Sequence, residues 1–298
     1  MVYLKYKSNI SEEMSLVNYD KISGFADEIS SDTTAQFEAL KRLGIKYFEP
    51  RGIDGKNISE LSNDEVKNLK EKMEKYNIKV SSIGSPIGKI KLSDDFESHF
   101  EVFKRVVKTA KMLDTKYIRI FSFYNDSEEW TDDKKTEVFS RLSKMIDYAK
   151  NEDVILLHEN EKDIYGDNAK RCLELMEKLY CDNFKVVFDP ANFVQCRQNT
   201  IEAFEMLKPY IEYMHIKDAK EDGTVMPSGM GYGNIKYILR NLFDNGYSGF
   251  LSLEPHLGSF EGLAALELDD KMLNLPEGGE GTFTLAFNAL NDILSEII

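Results

Sequence analysis

The 298-residue chain is short of several residue types, and each shortage narrows what it can be. It has three cysteines, Cys172, Cys181 and Cys196, an odd count with no C-x-x-C spacing. That argues against a disulfide framework and reads as free thiols in a reducing cytoplasm. No apolar run approaches the length of a membrane span, and the opening MVYLKYKSNI lacks the apolar core of a signal peptide. Positive charge is also scarce, with 38 Lys and Arg against 52 Asp and Glu, a net charge of −14. An acidic surface repels phosphate backbones and anionic lipid. The expectation is a cytoplasmic protein with neither nucleic acid nor membrane as partner.

What is present is ample core material, 42% hydrophobic residues, organised in short runs. Eight apolar runs rich in β-formers recur: KISGF (21–25), KYFEP (46–50), IKVSSIG (78–84), KYIRIFSF (116–123), DVILLHE (153–159), FKVVFD (184–189), IEYMHIK (211–217) and SGFLSLE (248–254). Continuous rather than alternating runs suit strands buried on both faces of a parallel sheet. Amphipathic segments separate them; TTAQFEALKRLG, for example, has apolar residues at 35, 37, 40 and 43 before a glycine stop. Eight such strands alternating with eight helices predict an α/β fold, the (β/α)8 TIM barrel. A doubly wound open sheet would more often show a glycine-rich first turn, and GFADEIS has none. Residues 1–298 read as one domain, with 1–20 as an N-terminal extension. The connection from Pro255 to about Gly281 is a long β8–α8 loop. It reads as a lid, a subunit contact of a homo-oligomer, or a variable surface insertion.

In a barrel, the C-terminal strand ends line the mouth where substrates bind. Here those ends read Glu49, Glu159, Asp189, His215 and Glu254, and three of the chain's four histidines (His158, His215, His256) fall beside them. Glu49, Asp189 and Glu254 each precede a proline, which holds the residue before it extended. Converging carboxylates repel one another unless a cation joins them. Glu159, Asp189, His215 and Glu254 offer three oxygens and one nitrogen, a set suited to one divalent metal ion: Mn²⁺, Mg²⁺ or Co²⁺, with Zn²⁺ also compatible. Glu49, His158 and His256 join them as candidate substrate contacts. So does Lys89, which follows GSPIG past the third strand and would meet a phosphate or carboxylate. Arg51, two residues past Glu49, reads as half of an internal ion pair. The glycines of SGMGYGNI (228–235) would let backbone N–H groups approach an anion; a flexible turn is the simpler reading.

The segments LLHEN, VVFDPAN, YMHIKDA and LSLEPHL, in that order on strands five to eight, resemble the xylose-isomerase-like TIM barrel superfamily of sugar isomerases and epimerases. The superfamily also holds inosose dehydratases and endonuclease IV. In its ketose 3-epimerase branch, residues matching Glu159, Asp189, His215 and Glu254 bind one divalent metal, and the two glutamates move the substrate proton. Where such epimerases have a histidine three residues after the metal aspartate, this chain has Asn192. In place of an arginine beyond the strand-seven histidine it has Lys217 and Lys220. Asn192 and Lys217 therefore join the substrate-binding candidates. The resemblance implies a metal-dependent sugar isomerase or epimerase. Glu159 and Glu254 would act as base and acid on a small sugar or sugar-derived hydroxy-ketone, through an enediolate. The alternatives are a lyase or dehydratase on a keto-sugar or inosose, including C-glycoside cleavage, and a sugar-binding barrel without catalysis.

Overall fold

The computed structural model of the protein describes residues 19–127, 129–257 and 279–298. All but the last two residues of the expected extension at 1–20, and most of the long loop after the eighth strand, lie outside the described residues. All eight expected strands are present: β1 (Ile22–Gly24), β2 (Tyr47–Phe48), β3 (Lys79–Val80), β4 (Tyr117–Ile120), β5 (Ile155–Glu159), β6 (Phe184–Phe188), β7 (Ile211–Ile216) and β8 (Phe250–Leu253). Six of them form a parallel sheet in the order β1-β8-β7-β6-β5-β4, and β2 pairs with β3, also in parallel. Short links close the ring. Glu49 N donates to Gly24 O at 2.9 Å, which joins β2 to β1, and Ile83 bridges Ile118, which joins the end of β3 to β4. The result is the (β/α)8 barrel that the pattern predicts.

The principal helices are α1 (Thr33–Arg42), α2 (Asn63–Tyr76), α3 (Phe96–Met112), α4 (Asp132–Asn151), α5 (Ala169–Leu179), α6 (Pro190–Gln195), α7 (Thr200–Leu207), α8 (Ile235–Asp244) and α9 (Glu280–Ile297). Their ends follow local chemistry. Ser62 and Glu65 form a reciprocal capping box at the start of α2, and Asn77 closes it in the left-handed region at φ 55°. The six-residue α6 has no counterpart in the apolar periodicity. It starts because Asp189 caps it and Pro190, which needs no N–H partner there, occupies its first position.

Strand side chains alternate, and this sorts the core into two compartments. Ile118, Ile120, Leu156, Val186, Met214, Ile216, Leu251 and Leu253 pack outward under the helices. Leu157, Val187 and Tyr213 fill the barrel interior, with Tyr117, Ile155 and Phe250 packed against them. Every second residue onward from this inner layer reaches the mouth: Arg119, Glu159, Asp189, His215 with Lys217, and Glu254 with His256. The inner layer also carries polar groups. The Tyr213 hydroxyl bonds to Ser81 Oγ at 2.8 Å, and Ser81 Oγ meets Ser23 Oγ at 2.6 Å. The site thus stands on a packed, hydrogen-bonded floor.

Candidate metal centre and substrate pocket

The four residues expected to bind metal converge. One potential ligand atom from each of Glu159, Asp189, His215 and Glu254 lies within 4.8 Å of all the others, and all four residues are buried. His215 Nδ1 is 3.0 Å from Glu159 Oε1, 3.6 Å from Glu254 Oε2 and 3.9 Å from Asp189 Oδ2. Its other nitrogen faces Glu49 Oε2 at 3.4 Å. A carboxylate behind a histidine favours the proton on that side and frees the opposite nitrogen for a metal. Asp189 divides its oxygens in the same way. Oδ1 accepts from Asn192 N at 3.0 Å as the cap of α6, and Oδ2 faces the cluster. Asn160 fixes this strand end through a reciprocal pair, donating to Asp189 O at 2.9 Å and accepting from Asp189 N at 3.0 Å.

Among the described residues, two buried oxygens of this set, Glu159 Oε2 and Asp189 Oδ2, have no hydrogen bond, only ion-pair approaches from Arg119, Lys217 and His215. Buried carboxylate oxygens seldom go unbonded without a purpose. With the three-oxygen, one-nitrogen donor set, they make a buried cluster able to hold a divalent metal.

The field of the site is strong. Burial would push the Glu159 carboxyl up, but His215 and Arg119 outweigh it and hold it at about 2. Burial raises Asp189 to about 7, against the pull of Lys217, with Glu254 and Glu159 adding to the rise. Burial disfavours the charged form of His215, yet Glu159 and Glu49 raise it well above the ordinary histidine value. Glu254 is held well below its usual range by Lys217 and His256 despite burial.

A narrow cleft lined by Glu254 opens beside the cluster. For so acidic a chain its walls are unusually basic: Arg51, Lys89, Arg119, Lys162 and Lys217 all line it. Lys217 Nζ stands 3.2 Å from Glu254 Oε2. Three of the cations interleave with rings. Lys89 Nζ lies 4.4 Å and Arg119 Cζ 4.8 Å from the centre of Phe121, while Arg119 and Arg51 lie 5.1 and 4.6 Å from that of Phe25.

The remaining expected contacts divide. Lys89, Asn192, Lys217 and His256 line the cleft. Lys89 Nζ pairs with Glu161 Oε2 at 3.1 Å, and Asn192 Nδ2 donates to Glu159 Oε1 at 3.2 Å. Two expectations need correction. His158 precedes Glu159 by one residue and so points to the opposite side of β5. Its Nε2 meets Ser122 Oγ at 3.0 Å under the helical layer, and burial lowers the ring to about 4. Glu49 lies beneath His215, bonded to the Tyr213 hydroxyl at 2.9 Å, and Arg51, the next inward residue along the chain, takes the place at the mouth. Arg51 does form ion pairs, but with Asp27, Glu28 and Glu254.

The glycine-rich turn is also resolved. Asp218 fills it: Gly229, Gly231, Gly233 and Ala219 N–H groups all donate to its carboxylate at 2.8–3.0 Å. A Cβ at Gly231 would fall 2.3 Å from Asp218 Oδ1, so the glycines serve an internal carboxylate. Arg119 and Glu28 belong to the site but are not among the sequence candidates. Arg119 had a signal, a lone charge inside the apolar run KYIRIFSF. Glu28 had none, because acidic residues in loops are ordinarily solvated.

The comparisons with known proteins agree with this architecture. A 3-dehydroshikimate dehydratase from Bacillus anthracis is 23% identical over 129 residues, 43% of this chain and 46% of that protein, so the match spans under half the length of the curated relative. Among solved structures, the IOLI protein with a bound zinc atom superposes with a TM-score of 0.73 at 19% identity, covering 93% of this chain and 99% of its own. L-ribulose 3-epimerase superposes with a TM-score of 0.67 at 18% identity, covering 93% and 94%. At such identities the structural likeness speaks for the fold. The model of the xylose isomerase-like TIM barrel family matches residues 37–271, most of the barrel, and the chain belongs to that family.

Proposed function

We propose that the protein is a divalent-metal-dependent isomerase or epimerase that moves a proton next to the carbonyl of a sugar-derived hydroxy-ketone. The observation that carries this reading is the convergence of Glu159, Asp189, His215 and Glu254 at the floor of a basic cleft. A metal bound there supplies a Lewis acid that polarises the substrate carbonyl and stabilises the oxygen charge formed as the neighbouring proton leaves.

The chain's own groups account for the rest. Glu159 and Glu254 belong to strands three apart in the ring, and Glu254 lines the cleft. One takes the proton and the other returns it. Arg119, 3.1 Å from Glu159 Oε2, keeps that carboxylate ionised and ready to accept. Asn192 fixes its other oxygen. Return of the proton to the same carbon gives an epimer, and to the neighbouring carbon an isomer.

A second reading, elimination, has its own support. Five basic residues line the cleft against two acidic ones, Glu161 and Glu254. That balance suits a substrate carrying a carboxylate or phosphate even though Arg51, Lys89, Arg119 and Lys217 also pair with carboxylates, and the curated relative is a dehydratase. The same first proton transfer would then be followed by loss of the β-hydroxyl as water, with Lys217 or His256 placed to protonate it.

The test is solvent deuterium exchange followed by NMR over a panel of neutral and anionic hydroxy-ketones, with and without added metal. Metal-dependent exchange at the carbon next to the carbonyl is the expected result. A moved carbonyl, an inverted centre or lost water separates the outcomes. Binding without exchange under any metal would leave a sugar-binding barrel in place of an enzyme.

A further inference from the structure

Next to the four-residue cluster lies a second group of buried charges, of which Glu28 and Arg51 have no part in the proposed reaction. Glu28 follows β1 and is 5% exposed, Arg51 follows β2 and His256 follows β8. These strands are neighbours in the closed ring, so three loops bring the groups together. Glu28 Oε2 accepts from His256 N at 2.7 Å, and Glu28 Oε1 accepts from Arg51 Nη2 at 3.3 Å and lies 3.5 Å from His256 Nε2. Arg51 Nη1 and His256 Nε2 in turn both stand 3.2 Å from one atom, Glu254 Oε1. Asp27 holds the outer edge of the guanidinium, at 2.7 Å from Nε and 3.1 Å from Nη2.

We propose that Glu28, acting through Arg51 and His256, is a positioning residue that sets which oxygen of Glu254 faces the metal cluster. The inference rests on the reading that this cluster holds a divalent metal. With Oε1 gripped by Arg51 and His256, Oε2 is the oxygen left facing His215 Nδ1 and the other ligands. Glu28 makes the grip possible. It ties down the His256 backbone, which sits in the left-handed region at φ 45°, and it holds the Arg51 guanidinium and the His256 ring. Glu28, Glu254 and His256 also have ligand atoms within 4.8 Å of one another, the spacing of a second cation site. The Arg51 guanidinium already bridges Glu28 and Glu254, so a fixed cation of the chain's own serves that space.

Glu28→Gln keeps the size and an acceptor for His256 N but removes the charge. Arg51 and His256 then lose the carboxylate that holds them, their grip on Glu254 Oε1 loosens, and Oε2 is no longer kept facing the cluster. Metal affinity of the purified full chain, measured for Mn²⁺ and Zn²⁺ by competition with a chromophoric chelator, should fall about 10–100-fold, the usual cost of losing an outer partner of a ligand. The absorption bands of the Co²⁺-loaded variant should shift at saturating metal, which a merely less stable fold would not produce. Arg51→Lys, which keeps the charge but cannot bridge three carboxylates, should also weaken binding, and it decides the matter if Glu28→Gln does not fold. Wild-type protein that takes up no metal removes the underlying reading. Wild-type uptake with unchanged affinity and spectra in a folded variant overturns the role of Glu28 alone.

Discussion

The Lys217 ammonium stands 3.0 Å from Asp189 Oδ2, and so shares the oxygen a bound metal would claim. Lysine and metal compete for one carboxylate, which separates their roles. Replacing Lys217 with Met should leave metal affinity unchanged or increase it. If the substrate is anionic, KM for it should rise on the order of 10-fold or more, because a charge-assisted contact is lost, with little change for a neutral analogue. Isothermal calorimetry and paired kinetics check both halves. Equal effects on the two substrates would assign Lys217 to the architecture of the site.

Metal binding should release protons. Burial and neighbouring carboxylates keep Asp189 protonated up to about 7, and Glu159 and Glu49 keep His215 protonated well above its ordinary range. A metal requires both in their deprotonated forms, so apparent affinity should climb as pH rises through neutrality. Calorimetry in buffers of different ionisation enthalpy measures the protons directly. Loading at 100 times the dissociation constant should stabilise the fold by about 2.7 kcal/mol, and chelation should reverse it.

The two glutamates should be separable by isotope. Glu159→Gln and Glu254→Gln each keep an oxygen for the metal and should each lose turnover on the order of 10²–10⁴-fold. The variant lacking the group that first takes the proton should show no deuterium exchange into substrate. The other should still exchange without forming product. Near-normal turnover in both variants would move the acid–base pair elsewhere, with His256 the nearest candidate in the cleft.

His99 supplies a pH-dependent stability test away from the four-residue cluster. Its Nε2 accepts from Gly88 N at 2.9 Å, which fastens the loop carrying Lys89. Burial, with Arg141 nearby, lowers its ring to about 4, below the ordinary value near 6.5 of the unfolded chain. Between those values the unfolded state binds the extra proton. Stability should therefore fall as pH drops from about 6.5 toward 4, and be fully present above that window. Urea midpoints across pH should flatten in His99→Gln relative to wild type.

Much of the fold was legible because the strands are short apolar runs, five of them with a polar residue at the exit, and KISGF through SGFLSLE mark all eight. The cluster was legible for the same reason, since Glu159, Asp189, His215 and Glu254 each lie at or next to the end of a strand. What misled was the neglect of alternation. His158 and Glu159 are adjacent and equally polar, yet only one of two consecutive strand residues can face the mouth. Depth was also hidden. Glu49 and Arg51 share a side of β2 but occupy successive layers, and only the three-dimensional barrel assigns one to the floor and the other to the wall. The role of Asp218 could not be read at all, because its four N–H partners lie up to 15 residues away in a turn without apolar periodicity.

That alternation has a consequence for how this stretch can change. Along β7 and just beyond, Tyr213, His215 and Lys217 face the interior and mouth, while Met214, Ile216 and Asp218 face the helices and the glycine turn. Chemistry and architecture occupy alternate letters of one segment. Point substitutions can alter either row by itself, but inserting or deleting a single residue before His215 would exchange the two, turning the imidazole toward the helices and an apolar side chain toward the carboxylates. The strand therefore tolerates changes of letter and forbids changes of frame.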